Sequence, residues 1–70
     1  MQRQFVSSSN FASVGYDSST YVLEVEFLNG SIYQYWGVPS WVYAGLMTAA
    51  SKGNYLYQKV KGFYPCQKTY

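Results

Sequence analysis

The chain has 70 residues, a formal net charge of +2, no histidine and a single cysteine, Cys66. That length limits it to one domain, residues 1–70, and one thiol excludes an internal disulfide. Without histidine neither a Ser-His nor a Cys-His nucleophile can be assembled, and the sequence offers no cluster of metal-ligating side chains.

A chain this short buries only about 60% of the surface its unfolded form exposes, so its core must be dense. Nine tyrosines, four phenylalanines and two tryptophans supply that density, since each large ring can bury roughly 150–250 Å². Met1-Gln2-Arg3-Gln4 has no apolar leader region, and no apolar run reaches membrane-spanning length. The sequence therefore reads as a soluble, cytoplasmic protein with no membrane partner, no metal and no cofactor. Its small positive charge permits an anionic partner without requiring one.

In chain order, Phe5-Val6 reads as a short edge strand closing at the polar turn Ser7-Ser8-Ser9-Asn10. Ala12, Val14 and Tyr16 alternate with Ser13 and Gly15, which predicts a second strand ending at Asp17-Ser18-Ser19-Thr20. Gly15 inside it marks a bulge or a close backbone approach. From Tyr21 to Pro39 runs the segment of strict alternation around which the chain is organised, a β-hairpin handed directly to a helix. Leu23, Val25 and Phe27 share one strand face, and Val22, Glu24 and Glu26 share the other. Leu28-Asn29-Gly30 is read as a three-residue loop with Gly30 in the left-handed region; a two-residue Asn29-Gly30 loop would reverse which residues face inward. The longer loop sets Tyr33 opposite Val25 and Tyr35 opposite Leu23, so both rings enter the core while Ile32 is left outside with Gln34.

Pro39 fits the first helical position, and Ser40 to Ala50 predicts a helix whose Val42, Leu46 and Ala49 stripe covers the sheet. Gly45 lowers helix propensity by about 1 kcal/mol relative to Ala, which points to close packing there against an aromatic ring. Gly53 is expected to stop this helix, with Lys52 in its last turn. Asn54 then reads as the N-cap of a short second helix running to about Lys61, burying Leu56, Val60 and Tyr64, with Gly62 ending it. The tail from Pro65 to Tyr70 is expected to fray. The fold class is thus α+β: a small antiparallel sheet of three to four strands, covered on one face by one main helix, with a short second helix near the C-terminus.

Glu24 and Glu26 stand at i and i+2, roughly 7 Å apart by strand rise alone, a separation that imitates a glycosidase pair. Seventy residues leave little material for a cleft, so the pair reads as a solvated strand face and the chain as no enzyme. Cys66, beside Pro65 and without an activating base, reads as an incidental thiol. Lys52, Tyr55, Tyr57, Lys59 and Lys61 fall within ten residues and combine cations for phosphates with flat rings for bases. That grouping predicts contact with RNA or another nucleic acid through Lys52, Tyr55, Lys59 and Lys61. The plainer alternative is that Tyr55 and Leu56 pack on the sheet while the lysines keep the protein in solution. Arg3 and Lys68 extend the group only if the fold brings them near it.

Ser8, Ser9 and Asn10 together with Ser51, Lys52 and Gly53 form a candidate site for a phosphate or small anionic ligand. Ordinary turn and cap chemistry accounts for each half equally well. Trp36 and Trp41 flank the strand-to-helix corner and form a candidate protein interface, self-association being its simplest use. A corner-packing tryptophan is the alternative.

The order Ser8-Ser9-Asn10, Val14-Gly15-Tyr16-Asp17, Leu23-Glu24-Val25-Glu26-Phe27, Asn29-Gly30, Tyr33-Gln34-Tyr35, Val38-Pro39, Ala50-Ser51-Lys52-Gly53, Tyr55 and Val60 resembles the KTSC domain, over about Val6 to Tyr64. That family takes its name from the C-terminus of some lysyl-tRNA synthetases; its members are small α+β units that stand alone in bacteria and phages or are fused to other domains. The resemblance implies an accessory RNA-contacting module. Its phage setting implies instead a short interfering protein. The rival reading is thus a phage- or host-encoded interaction protein working as a homo-oligomer through Trp36 and Trp41, with sequestration of a small nucleotide between subunits as a third route. Trp36, Trp41 and the Leu56-Tyr57 pair make this chain more aromatic than the family pattern.

Overall fold

Five antiparallel strands carry the chain in the computed structural model, which describes residues 1–70. Strands β1 (Arg3–Phe5), β2 (Phe11–Asp17), β3 (Val22–Phe27), β4 (Ile32–Trp36) and β5 (Cys66–Lys68) lie side by side in chain order. Between β4 and β5 the chain leaves the sheet to form α1 (Ser40–Thr48) and α2 (Lys52–Lys59), whose buried residues join those of the sheet in one core. Neither helix is long and apolar enough to cross a membrane.

The β3–β4 hairpin takes the register of the three-residue loop: Val25 faces Tyr33, Leu23 faces Tyr35 and Glu24 faces Gln34. The Gly30 N–H donates to the Phe27 carbonyl at 3.0 Å, and Gly30 has φ +91°, a conformation that costs glycine little and other residues much. As the alternation requires, Leu23 and Val25 are fully buried and Tyr35 is 3% exposed, while Tyr33 is half-buried against the same core. Val42 and Leu46 cover them from α1, and Leu56 and Val60 from α2 and its end. Gly45 packs as its position in a helix suggests, because a Cβ there would fall on the Tyr55 ring, 2.7 Å from Cζ.

The tail does not fray. It forms β5, pairing Cys66 with Tyr35, Gln67 with Gln34 and Lys68 with Tyr33, so the sheet has five strands where three or four are expected. Without it, β4 would present a row of unpaired backbone groups; instead Trp36 N–H donates to the Pro65 carbonyl at 2.9 Å and Thr69 N–H to the Ile32 carbonyl at 2.7 Å.

Nor does Gly53 stop the first helix. α1 ends at Thr48, and Gly53 lies in the first turn of α2, whose cap is Ser51 and not Asn54: the Ser51 hydroxyl accepts the Asn54 N–H at 3.4 Å. The glycine is there for contact, since a Cβ would strike the Asn10 side chain. Pro39 is the N-cap of α1, with extended ψ 155°, and not its first residue. In β2 a register shift between Phe11 and Ser13 turns Phe11 into the core in place of Ala12.

Candidate nucleic-acid interface

The two faces of the sheet carry different chemistry. Arg3, Gly15, Glu24, Gln34 and Gln67 form one row across all five strands, on the face away from the helices. Gly15 has no side chain, so Arg3 lies flat across it; a Cβ would sit 2.8 Å from the Gln2 carbonyl oxygen and 3.0 Å from Arg3 Cγ. Arg3 then reaches Glu24 as an ion pair and donates through Nε to Ser13 Oγ at 2.8 Å. Ser13 Oγ donates in turn to Glu26 Oε1 at 2.8 Å, and Gln34 Nε2 donates to Glu24 Oε1 at 2.8 Å. Burial pushes the Glu24 carboxyl up, but the hydrogen bonds from Gln34 and Arg3, with the Arg3 charge, outweigh it and hold the group below the ordinary glutamate value.

The expectation of a solvated acidic pair therefore fails at Glu24, which is 8% exposed, because Arg3 from a distant strand covers it. Asp17, the remaining acid, accepts from the Ser19 hydroxyl at 2.6 Å and the Ser19 N–H at 2.9 Å, which hold it below its ordinary value. All three acids are thus engaged on or beside β2 and β3.

Downstream of Glu26 the chain has no acid and four lysines. Lys59 and Lys61 are exposed at the end of α2, and Lys61 Nζ stands 4.9 Å from the centroid of the Tyr57 ring, itself 68% exposed. Lys52 is half-buried, with Nζ 3.4 Å from the Ala49 carbonyl at the C-terminal end of α1. Tyr55 is half-buried against Gly45, so the helix pair holds its ring, and Tyr57 is the α2 tyrosine with a free face. Strand β5 adds Lys68 opposite Tyr33, on the helix-bearing face, whereas Arg3 lies on the other face and does not join the group.

Between α2 and the sheet lies an open cavity of about 170 Å³. Phe27, Tyr33 and Tyr35 line it from the sheet, Leu56 and Tyr57 from α2, and Lys61 stands at its edge. Edge-to-face contacts of Phe27 with Phe11 (5.3 Å) and with Tyr33 (5.6 Å) hold these rings in place. Burial, then the neighbouring Cys66 and Tyr33, push the Tyr35 hydroxyl up to about 12. Cys66 is exposed and borders the same cavity.

Asn10 and Gly53 also border it, so the two halves of the candidate anion site do meet. Their polar groups are occupied locally, however. Ser8 Oγ accepts the N–H groups of Asn10 (3.1 Å) and Phe11 (3.3 Å), Ser9 Oγ donates to Asn10 Oδ1 at 3.2 Å, and Ser51 caps α2. The tryptophans part company: Trp36 is half-buried on the outer face opposite Val22, and Trp41 is 71% exposed in the first turn of α1. A second hollow of about 340 Å³ lies beside β1, against the stacked Tyr16 and Tyr43 rings (4.8 Å); its lining cation is Arg3, already paired with Glu24.

The sequence model of the KTSC domain matches residues 7–64. An uncharacterized protein of Stutzerimonas stutzeri is 41% identical over 61 residues, which cover 87% of this chain and 86% of that protein. A lysine–tRNA ligase of Trichormus variabilis is 45% identical over 47 residues, covering 67% of this chain but only 8% of the ligase. Among solved structures, the crystal structure of a KTSC domain protein from Yersinia pestis superposes with a TM-score of 0.90 at 44% identity, covering 96% of this chain and 94% of that one.

Proposed function

This chain belongs to the KTSC domain family, and from that premise we propose that it is a non-enzymatic module contacting RNA through Lys59, Lys61, Lys68 and Tyr57, with Lys52 at the flank. The observation that carries the reading is the segregation of charge. Glu24 and Glu26 are tied up on the outer face with Arg3 and Ser13, while the α2 side offers lysines and an exposed ring. Lysines neutralise phosphates, and an open aromatic face stacks a base, worth about 1–3 kcal/mol per base. A stacking ring needs an unpaired base, which favours single-stranded RNA over a duplex. The likeness to part of a lysine–tRNA ligase supports RNA as the partner, and the cytoplasm is where the two would meet. Tyr55 serves helix packing against Gly45 in this scheme.

Affinity for a single-stranded RNA oligomer should fall as salt rises, each engaged lysine adding about 0.7 to the slope of log K against log salt. Reversing Lys59→Glu and Lys61→Glu together should flatten that slope and weaken binding roughly tenfold or more. Fluorescence anisotropy across a salt series reads both quantities. An affinity indifferent to salt and to both reversals overturns the reading.

A further inference from the structure

We infer that the cavity between α2 and the sheet receives one unstacked nucleobase, whose attached phosphate is held at the mouth by Lys61 and Lys68. This rests on the RNA reading and says where on the surface a base is taken in. The walls suit a flat ring: Phe27 and Tyr33 are fixed by edge-to-face contacts, with Leu56 and Tyr57 across from them. A volume of about 170 Å³ admits a single ring system and excludes a helix or a duplex.

Three lining residues are tyrosines, Tyr33, Tyr35 and Tyr57, and the Tyr35 hydroxyl, on a residue 3% exposed, has no partner in the protein and keeps its contact with solvent. The Tyr16 hydroxyl, by contrast, donates to the Val38 carbonyl at 2.6 Å. A nucleobase edge offers the Tyr35 hydroxyl a hydrogen bond; an aliphatic side chain in the same space would leave it unpaired. The mouth decides what the ring must carry. Lys61 lines the cavity, Lys68 lies outside the lining but opposite Tyr33 on the same sheet face, and no acid lines the cavity. A flat ring bearing a phosphate matches that pattern, and an uncharged ring does not.

Two variants probe the cavity without touching a lysine. Tyr35→Phe removes the hydroxyl and keeps the ring, and Cys66→Phe fills the mouth from an exposed position. Each should weaken binding of an oligoadenylate about tenfold while leaving the salt slope unchanged. Neither should alter binding of inorganic polyphosphate, which has no base. Adenosine monophosphate separates the sources of the base: saturable shifts of the Tyr35 ring resonances, lost in Cys66→Phe, support the cavity. A strong preference for the oligomer then assigns the base to RNA, and equal affinity assigns it to a free nucleotide.

If both variants bind oligoadenylate like the parent while salt dependence persists, the cavity inference is overturned and the surface reading survives. If salt and the lysine reversals have no effect but adenosine monophosphate still shifts Tyr35, the RNA reading fails and the cavity stands as a nucleotide site. Silence of adenosine monophosphate together with silence of both variants removes the inference.

Discussion

Glu24→Leu should destabilise the protein by about 2 kcal/mol, and adding Arg3→Met should restore part of that loss. The single variant leaves the Arg3 stem across Gly15 and its guanidinium, on a side chain 28% exposed, with no carboxylate to meet it. Gln34 Nε2 loses its acceptor as well. Arg3→Met keeps an apolar stem across Gly15 and removes the orphaned charge, so the pair of substitutions trades an ion pair for packing. Urea denaturation of parent, single and double variants reads the sequence of losses. A double variant as unstable as the single one would show that the charge was not the cause.

The same ion pair fixes a pH dependence. Because the Glu24 carboxyl is held below its ordinary value in the fold, its stabilising contribution is complete above the unfolded glutamate value, about 4.3. It disappears as pH falls through the lower folded value. Stability of the parent should therefore decline below about pH 4.3, and the Arg3→Met, Glu24→Leu variant should decline less steeply.

A chain ending at Tyr64 should be less stable by about 3 kcal/mol, from solvent-edge backbone hydrogen bonds at the low end of about 0.5–1.5 kcal/mol each. Every side chain of β5 is exposed, so little apolar burial is lost with it. What goes are bonds from the backbone: Trp36 N–H to Pro65, Ile32 N–H to Tyr70, and Thr69 N–H to Ile32, besides the ladder from Tyr33 to Tyr35. The shortened protein also exposes β4 as a bare edge, which should raise its tendency to aggregate. Removal of Lys68 and Cys66 should weaken RNA binding in the same step. Denaturation midpoints at equal slope measure the first effect, and an unchanged midpoint would mean that the tail contributes nothing to the fold.

How far the fold could be read from the residues follows from where the information lies. The register of β3 and β4 was legible because one face must be buried and Asn29-Gly30 fixes the loop, so a local pattern decides a local structure. Gly45 was legible for a related reason: a glycine in a helix asks for a close neighbour, and Tyr55 supplies it. Strand β5 was not legible. Its side chains face solvent on an edge, no alternation marks it, and its partner β4 lies some thirty residues back, across both helices (Cys66 opposite Tyr35). The KTSC match also stops short of both edge strands, spanning residues 7–64.

The candidate site shows the same division. Lys59 and Lys61 stand out in the sequence and are exposed in the structure, whereas Lys68 reaches the helix-bearing face only through β5. The choice of Tyr57 over Tyr55 depends on which ring the helix pair takes up. Glu24 looked solvated because its cover, Arg3, stands 21 residues away. Only the β1–β2–β3 pairing brings the two together.

The most direct measurement is a map of backbone amide shifts, residue by residue, as a single-stranded RNA oligomer is added. The largest changes should fall at Tyr57, Lys59, Lys61 and Lys68, with Arg3, Ser13 and Glu24 unmoved. Shifts centred on the Arg3–Glu24 row, or none at all at saturating RNA, would contradict the assignment of the α2 side as the binding face.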